Sequence, residues 1–253
     1  MIKIDILSDH DVYSLNSNKN DLFNRISPIA NLTDYAYFSI NNANILNKGK
    51  WWLKSGDGDG NVDVVGEDGK GQLYEADNPC IGTRPVMKYE DVKDSITDIK
   101  MNEYGVLEGE YGEYIQRLVT KDEQIELESI FCNNEINFTE KYYNVIMPNN
   151  YTLFEKLELK YFPEYIYDNK KFVRVETKNK IYWFEVLPIK WVISPNDNMI
   201  ISKDIIIGRM PMQINDEYYL LNMFDYTDLY KYLNNIFRKE MVPSQINNKV
   251  LKK

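Results

Sequence analysis

The chain is short of the residues that most enzymes use for nucleophilic and metal chemistry, with two cysteines and one histidine in 253 residues. Cys80 and Cys132 alone supply neither a zinc cluster nor a disulfide framework, so they read as reduced thiols of a cytosol-made protein. With His10 the only imidazole, histidine-dependent catalysis is disfavoured. No apolar run approaches the roughly 20 residues that a bilayer-spanning helix requires. The opening MIKIDILSDHD lacks the basic start and apolar stretch of a secretory signal, which predicts a cytoplasmic location, in a host cell or from a virion. Positive charge is scarce as well: 30 Lys and Arg against 39 Asp and Glu leave −9. Such a chain repels phosphate backbones unless its cations cluster, so direct nucleic-acid binding is not expected. The charge serves solubility first, and it also suits a basic partner.

What is present is ordinary for a globular protein. Hydrophobic residues make up 43% and charged residues 27%, which argues against disorder and collagen-like structure. A chain of this size buries roughly 70–75% of its unfolded surface and folds without covalent staples. Its Asn-, Ile-, Lys- and Tyr-rich usage suits an AT-rich genome, such as that of a Firmicute, its phage or a mobile element.

Residues 1–30 read as a polar extension with a strand over Ile2 to Leu7 and a short helix around Asp21 to Ile26. From Leu32 to Tyr89 turns and short strands are expected, with Trp51-Trp52-Leu53 an aromatic strand and Thr83 to Met87 a closing one. The Gly- and Asp-dense stretch Ser55 to Gly71 is unsuited to a helix interior. Thr120 and Glu123 have capping-box spacing ahead of Ile125, Leu127, Ile130 and Phe131, which predicts a helix. Asn149-Asn150 marks a turn. Lys171 to Glu176 and Ile181 to Ile193 read as a hairpin feeding a long buried strand, with Pro188 at a bulge or edge. Asn196-Asp197-Asn198 turns the chain into a strand over Met199 to Ser202. Leu229, Tyr232, Leu233, Ile236 and Phe237 fall on one helical face, with Asp225 or Thr227 placed to cap it. The sum is an α+β globule of many short strands and few helices, ending in a polar tail over 243–253.

Several segments together resemble the bacterial group DUF6273, related to formylglycine-generating enzyme and the C-type-lectin-like fold. Trp51-Trp52-Leu53-Lys54-Ser55 and Gly82-Thr83-Arg84-Pro85-Val86 resemble that group's closing YWLRS and GVRP pieces, preceded by Asp34-Tyr35-Ala36-Tyr37. Tyr111 to Gln116 resembles its opening FGxYPQ, with Ile115 where Pro is usual. Pro188 to Ile193 resembles PIxWxVL, Ile200 to Lys203 resembles LLSK, and Leu233 to Phe237 resembles WLNxxF. The closing pieces stand first here, which implies a circular permutation: one domain over 31–242, with closing half 31–90, connector 91–110 and opening half 111–242. The alternative is two incomplete copies forming two domains. In the permuted arrangement the strands around Trp52 and Trp191 share one core.

The resemblance implies a scaffold rather than a catalyst, since no catalytic constellation stands in the sequence and Cys80 and Cys132 lack the context of copper-binding thiols. It places ligand contact on the excursion over 55–80, giving Trp51, Lys54, Asp57, Asp59, Asn61, Asp63 and Tyr74 as candidate ligand-binding residues. Asp57, Asp59 and Asp63 partly match a calcium loop, but Ser55 and Gly66 stand where its first Asp and closing Glu belong; an Asp/Gly turn-rich loop is the other reading. Trp52, Trp191, Leu233 and Phe237 read as core. Arg84 reads as a buried tie between loops. Glu108, Glu110 and Glu113 read as the wet face of a strand rather than an acid pair or metal site. Two functions remain open. One is a non-enzymatic module binding a protein or glycan. The other is an acidic intracellular inhibitor or adaptor that occupies a basic groove of a host complex, such as a nucleic-acid-guided defence nuclease.

Overall fold

A computed structural model describes residues 2–13, 27–40, 48–57, 59–133, 136–148, 158–214 and 223–243. The expected helix over Asp21 to Ile26, the Asn149-Asn150 turn and most of the polar tail lie outside the described residues. The strands in chain order are β1 (Ala30–Asn31), β2 (Lys48–Gly49), β3 (Trp51–Gly56), β4 (Asn61–Val65), β5 (Gly71–Glu75), β6 (Val86–Lys88) and β7 (Thr97–Met101). They continue as β8 (Leu107–Leu118), β9 (Asn137–Ile146), β10 (Leu159–Tyr167), β11 (Lys170–Glu176), β12 (Ile181–Ser194) and β13 (Met199–Ser202). Helices are few: α1 (Asp9–Tyr13), α2 (Asp34–Ile40), α3 (Lys121–Cys132) and a C-terminal helix beginning at Asp228–Tyr232. The fold class is therefore α+β and strand-rich. No helix among the described residues is long and apolar enough to cross a membrane.

The long strand β12 organises the larger sheet. Its aromatic and β-branched residues suit a strand covered on both faces, and Trp183, Phe184, Trp191 and Val192 are all buried. Along one side it pairs with β8, which carries β7 at the sheet edge. Along the other side β11 takes its first half and β13 its second, and all these pairings are antiparallel. Pro188 falls where β11 has ended and β13 has not begun, beside a register shift against β8. A residue with no N–H is tolerated there because the ladder is already interrupted.

The Thr120 capping box is complete. The Thr120 side chain accepts from the Glu123 backbone N–H, and the Glu123 carboxylate accepts from the Thr120 N–H at 2.8 Å. Thr227, not Asp225, caps the C-terminal helix, accepting from the Tyr230 N–H at 3.2 Å. That helix passes through a π turn over Leu233–Phe237 and ends at Arg238–Glu240. Leu229, Tyr232, Leu233 and Phe237 are buried in one core with Trp52 and Trp191.

Two expectations for the first third change. Asp34–Ile40 is a helix, not part of a run of turns and strands. Ile2 to Leu7 makes only an isolated bridge, Asp5 with Val86, although Ile4 and Ile6 lie in the main core.

Candidate functional site

The Gly/Asp excursion folds as a three-stranded antiparallel meander, β3–β4–β5. Gly60 and Gly69 turn its two corners with positive φ, at 99° and 81°, a conformation that glycine adopts without a Cβ clash. Val62 and Val64 alternate inward while Asn61 and Asp63 face outward. Strand β5 is the open edge of this meander, with Leu73 56% exposed.

The aspartate loop is organised around itself. The Asp57 Oδ1 accepts from the backbone N–H of Asp59 at 2.9 Å and of Asn61 at 3.2 Å, and its Oδ2 accepts from the Asn61 side chain at 2.8 Å. Hydrogen bonds from Asn61 and Asp59 hold the Asp57 carboxyl below the usual range. Among the described residues no three His, Cys, Asp or Glu side chains come together as a metal-holding group. The expected calcium ligands Asp57, Asp59 and Asp63 thus do not converge; Asp57 spends its oxygens on its own turn, an Asx-type arrangement.

Carboxylates nevertheless share one face. Helix α1 lies across the meander, with the Asp9 N–H donating to Ser55 Oγ at 2.9 Å and the Tyr13 hydroxyl to the Gly69 carbonyl at 3.2 Å. Burial, then the charges of Asp9 and Asp57, raise the Asp63 carboxyl. Burial, then Asp68 and Asp63, push the Tyr13 phenol up to about 12. Between residues 55 and 77 the chain carries Asp57, Asp59, Asp63, Glu67, Asp68, Glu75 and Asp77 against Lys70 alone. Lys54 is drawn off the face by Asp5, at 3.3 Å.

Other expected contact residues move inward. Trp51 is fully buried rather than presented to a ligand: its indole N–H donates to the Pro28 carbonyl at 3.1 Å, and the Arg84 guanidinium stands 4.9 Å from its ring. Both faces of β3 are covered, so Trp51 and Trp52 enter different core clusters. Tyr74 is half-buried, its hydroxyl bonded to the Lys50 ammonium and to Gln72. Glu108 is not on a wet face. It is 8% exposed and binds the Lys203 ammonium through both oxygens, at 3.0 and 2.8 Å. Glu113 likewise holds Lys171 and Lys141, at 2.8 and 3.1 Å. Arg84 ties loops through carbonyls, donating from Nε and Nη2 to Ser202 at 3.1 and 2.9 Å.

Sequence reasoning missed Asp204. This half-buried carboxyl is raised by burial despite Arg84, Lys203 and Lys190 nearby. No local motif marks it. In comparisons with known proteins, no family model matches the chain, and neither does any curated protein or solved structure.

Proposed function

We propose that the chain is a non-enzymatic recognition module whose contact surface is the acidic face of α1 and the β3–β4–β5 meander, and that its partner is a basic protein. The carrying observation is the placing of like charges on one built surface: α1 is tied to the meander by the Asp9–Ser55 and Tyr13–Gly69 hydrogen bonds, and the Asp63 carboxyl there is raised first by burial and then by the charges of Asp9 and Asp57. The burial of Trp51 and the engagement of Tyr74 remove the ring platform that a glycan would use there. Leu73, exposed on the edge strand beside the carboxylates, supplies an apolar anchor. The reading includes a cytoplasmic setting, consistent with two free cysteines. A permuted lectin-like scaffold is part of the same proposal; Trp52 and Trp191 in one core, and β6 paired to β13, support it.

The test is a tagged pull-down at low and high salt, with Asp59→Asn, Glu67→Gln and Glu75→Gln combined as the control. These exposed side chains hold no turn together, so the variant folds. A partner lost both at high salt and in the variant supports the reading, because a Debye length of about 8 Å at physiological salt shortens further as salt is added. A partner retained in both refutes it.

A further inference from the structure

A sheet edge is a template for a further strand unless something blunts it, and the edges of β9, β6, β3 and β7 are each blunted. At β9 the Glu240 carboxylate accepts the Asn144 N–H at 2.7 Å, and the Tyr35 hydroxyl accepts the Ile146 N–H at 3.0 Å. The N-terminal segment lies along β6, where Asp5 and Val86 exchange two main-chain bonds. On β3 the outer N–H groups of Trp52 and Lys54 go to the carbonyls of Gly82 and Leu7. Strand β7 is bulged against β8, with Asp98 at φ 48°. Strand β5 differs from all of these. Gly71-Gln72-Leu73-Tyr74-Glu75 contains no proline, lysine or register shift, and among the described residues it pairs with β4 alone.

The pairing fixes which main-chain groups of β5 face outward. Ladder bonds run from the Gly66 N–H to the Lys70 carbonyl and from the Ala76 N–H to the Gly60 carbonyl. With the register unshifted between them, the even-numbered residues of β5 bond to β4, while Gly71, Leu73 and Glu75 direct their N–H and C=O groups away from it. The Glu75 carbonyl accepts from the Asn78 N–H at 3.0 Å. Both groups of Gly71, both of Leu73 and the Glu75 N–H have no hydrogen-bond partner among the described residues. The side chains of these same residues stand on the acidic face: Leu73 is opposite Asp63, and Glu75 is opposite Asn61. A Cβ at Gly71 would lie 3.4 Å from the Tyr13 ring, whose hydroxyl feels the charges of Asp68 and Asp63.

We propose that β5 receives the partner as an added strand: an extended basic peptide segment that pairs antiparallel with residues 71–75. This rests on the acidic-surface reading above and names the form its partner takes. Main-chain bonds give such a pairing its affinity, and alternate side chains give it selectivity. The segment residue opposite Leu73 is apolar. The residues two positions to either side share its face and are Lys or Arg, one opposite Glu75 and the other beside the Tyr13 ring, near Asp68 and Asp63. Charge decides against a second copy of this chain as the occupant. Pairing two β5 strands would set two faces carrying Asp63, Asp68 and Glu75 side by side, on chains of −9 each.

The test uses the full chain and an acetylated, amidated peptide of the pattern Lys-Thr-Val-Thr-Arg, followed by calorimetry and amide hydrogen exchange. Binding should slow exchange at Gly71, Leu73 and Glu75, while Gln72 and Tyr74, already bonded to β4, change little. N-methylation of the valine removes one donor and leaves the charge intact, so it should weaken the peptide at least about tenfold. Leu73→Pro removes an outward N–H but no ladder bond to β4, so it should lose the peptide and keep the fold. Leu73→Thr keeps that N–H and should weaken binding only about threefold. The N-methyl peptide tests the same bond with the chain itself unaltered. Asp59→Asn, Glu67→Gln and Glu75→Gln combined should also weaken the peptide and flatten its salt dependence. If this acidic variant loses the peptide while N-methylation and Leu73→Pro change nothing, the acidic surface stands and strand addition is refuted. A peptide that fails to bind the parent chain overturns strand addition too, and the pull-down above still decides the acidic reading. So do odd-numbered β5 amides already protected in the free protein, as a second copy would make them.

Discussion

Replacing Glu240 by glutamine should abolish a pH dependence built into the core. Glu240 is 4% exposed in the last turn of the C-terminal helix. Its Oε1 accepts from the Asn144 backbone N–H at 2.7 Å and from the Asn144 side-chain amide. Its Oε2 and the Asn144 Oδ1 are both buried without a partner. Burial raises the carboxyl above its ordinary range, while the Asn144 hydrogen bonds and the Lys141 charge pull it back. A helix C-terminus, with its outward carbonyls, further disfavours negative charge. The neutral acid turns Oε2 into a donor and removes one bare oxygen.

The sign follows from linkage. The native state holds this proton more tightly than the unfolded chain, so the stability it brings is complete below the unfolded carboxyl range. That stability is lost as pH rises through the native value. Glutamine is the same shape and keeps a donor at every pH. A buried unsatisfied group costs about 1–3 kcal/mol. Glu240→Gln should therefore match the parent at about pH 3.5, below the ordinary carboxyl range, and exceed it by about 1–2 kcal/mol at about pH 8, in urea melts at both. A variant less stable at both values, or a difference that does not change with pH, would refute the protonated arrangement.

Thr120→Ala should cost about 1 kcal/mol in denaturant melts and speed amide exchange at the start of α3, because it removes one half of the capping box. The Arg117 ion pair and the Thr120 N–H draw the Glu123 carboxyl down to about 2. Its contribution should accordingly persist above the ordinary carboxylate range and fade only as pH falls towards that value, which acid titration followed by circular dichroism would show. Trp51→Ala should destabilise by about 3–5 kcal/mol, and a loss under about 1 kcal/mol would contradict its place in the core. Millimolar calcium should leave Tm unchanged, because the Asp57 oxygens already serve their own turn; a rise of several degrees would show that the loop rearranges into a site.

Where local pattern and tertiary setting agree, the fold could be read from the chain. The strand Ile181–Ser194 is mostly aromatic and β-branched, Thr120 and Glu123 sit at capping-box spacing, and Leu229 to Phe237 mark one helical face. The helix Asp34–Ile40 misled because DYAYFSI is rich in strand formers. Its signal lay in the Thr33 hydroxyl, which accepts from the Ala36 N–H at 3.2 Å, and in the buried set Tyr35, Ala36, Ser39 and Ile40. Tertiary packing overrode a weak propensity.

The sites were harder to read because charge partners are set by topology rather than spacing. Glu108 and Glu110 have the alternation of a half-exposed strand, yet Glu108 turns inward because Lys203 meets it from the far end of β13. Trp51 carries no local mark of burial. It is covered because residues 27–30 cross one face of β3 while the main core takes the other. The cleft lined by Arg84, Glu108 and Asp204 follows the same logic, since these residues come from three separate stretches of chain. Antiparallel pairing of β12 with both β8 and β13 brings two of those stretches together, and β6 on β13 brings the third. An excursion rich in aspartate therefore draws the eye first, although its most distinctive carboxylate serves the turn it sits in. The unpaired Asp204 stands in a sequence context, Lys203-Asp204-Ile205, that suggests nothing until the sheet is assembled.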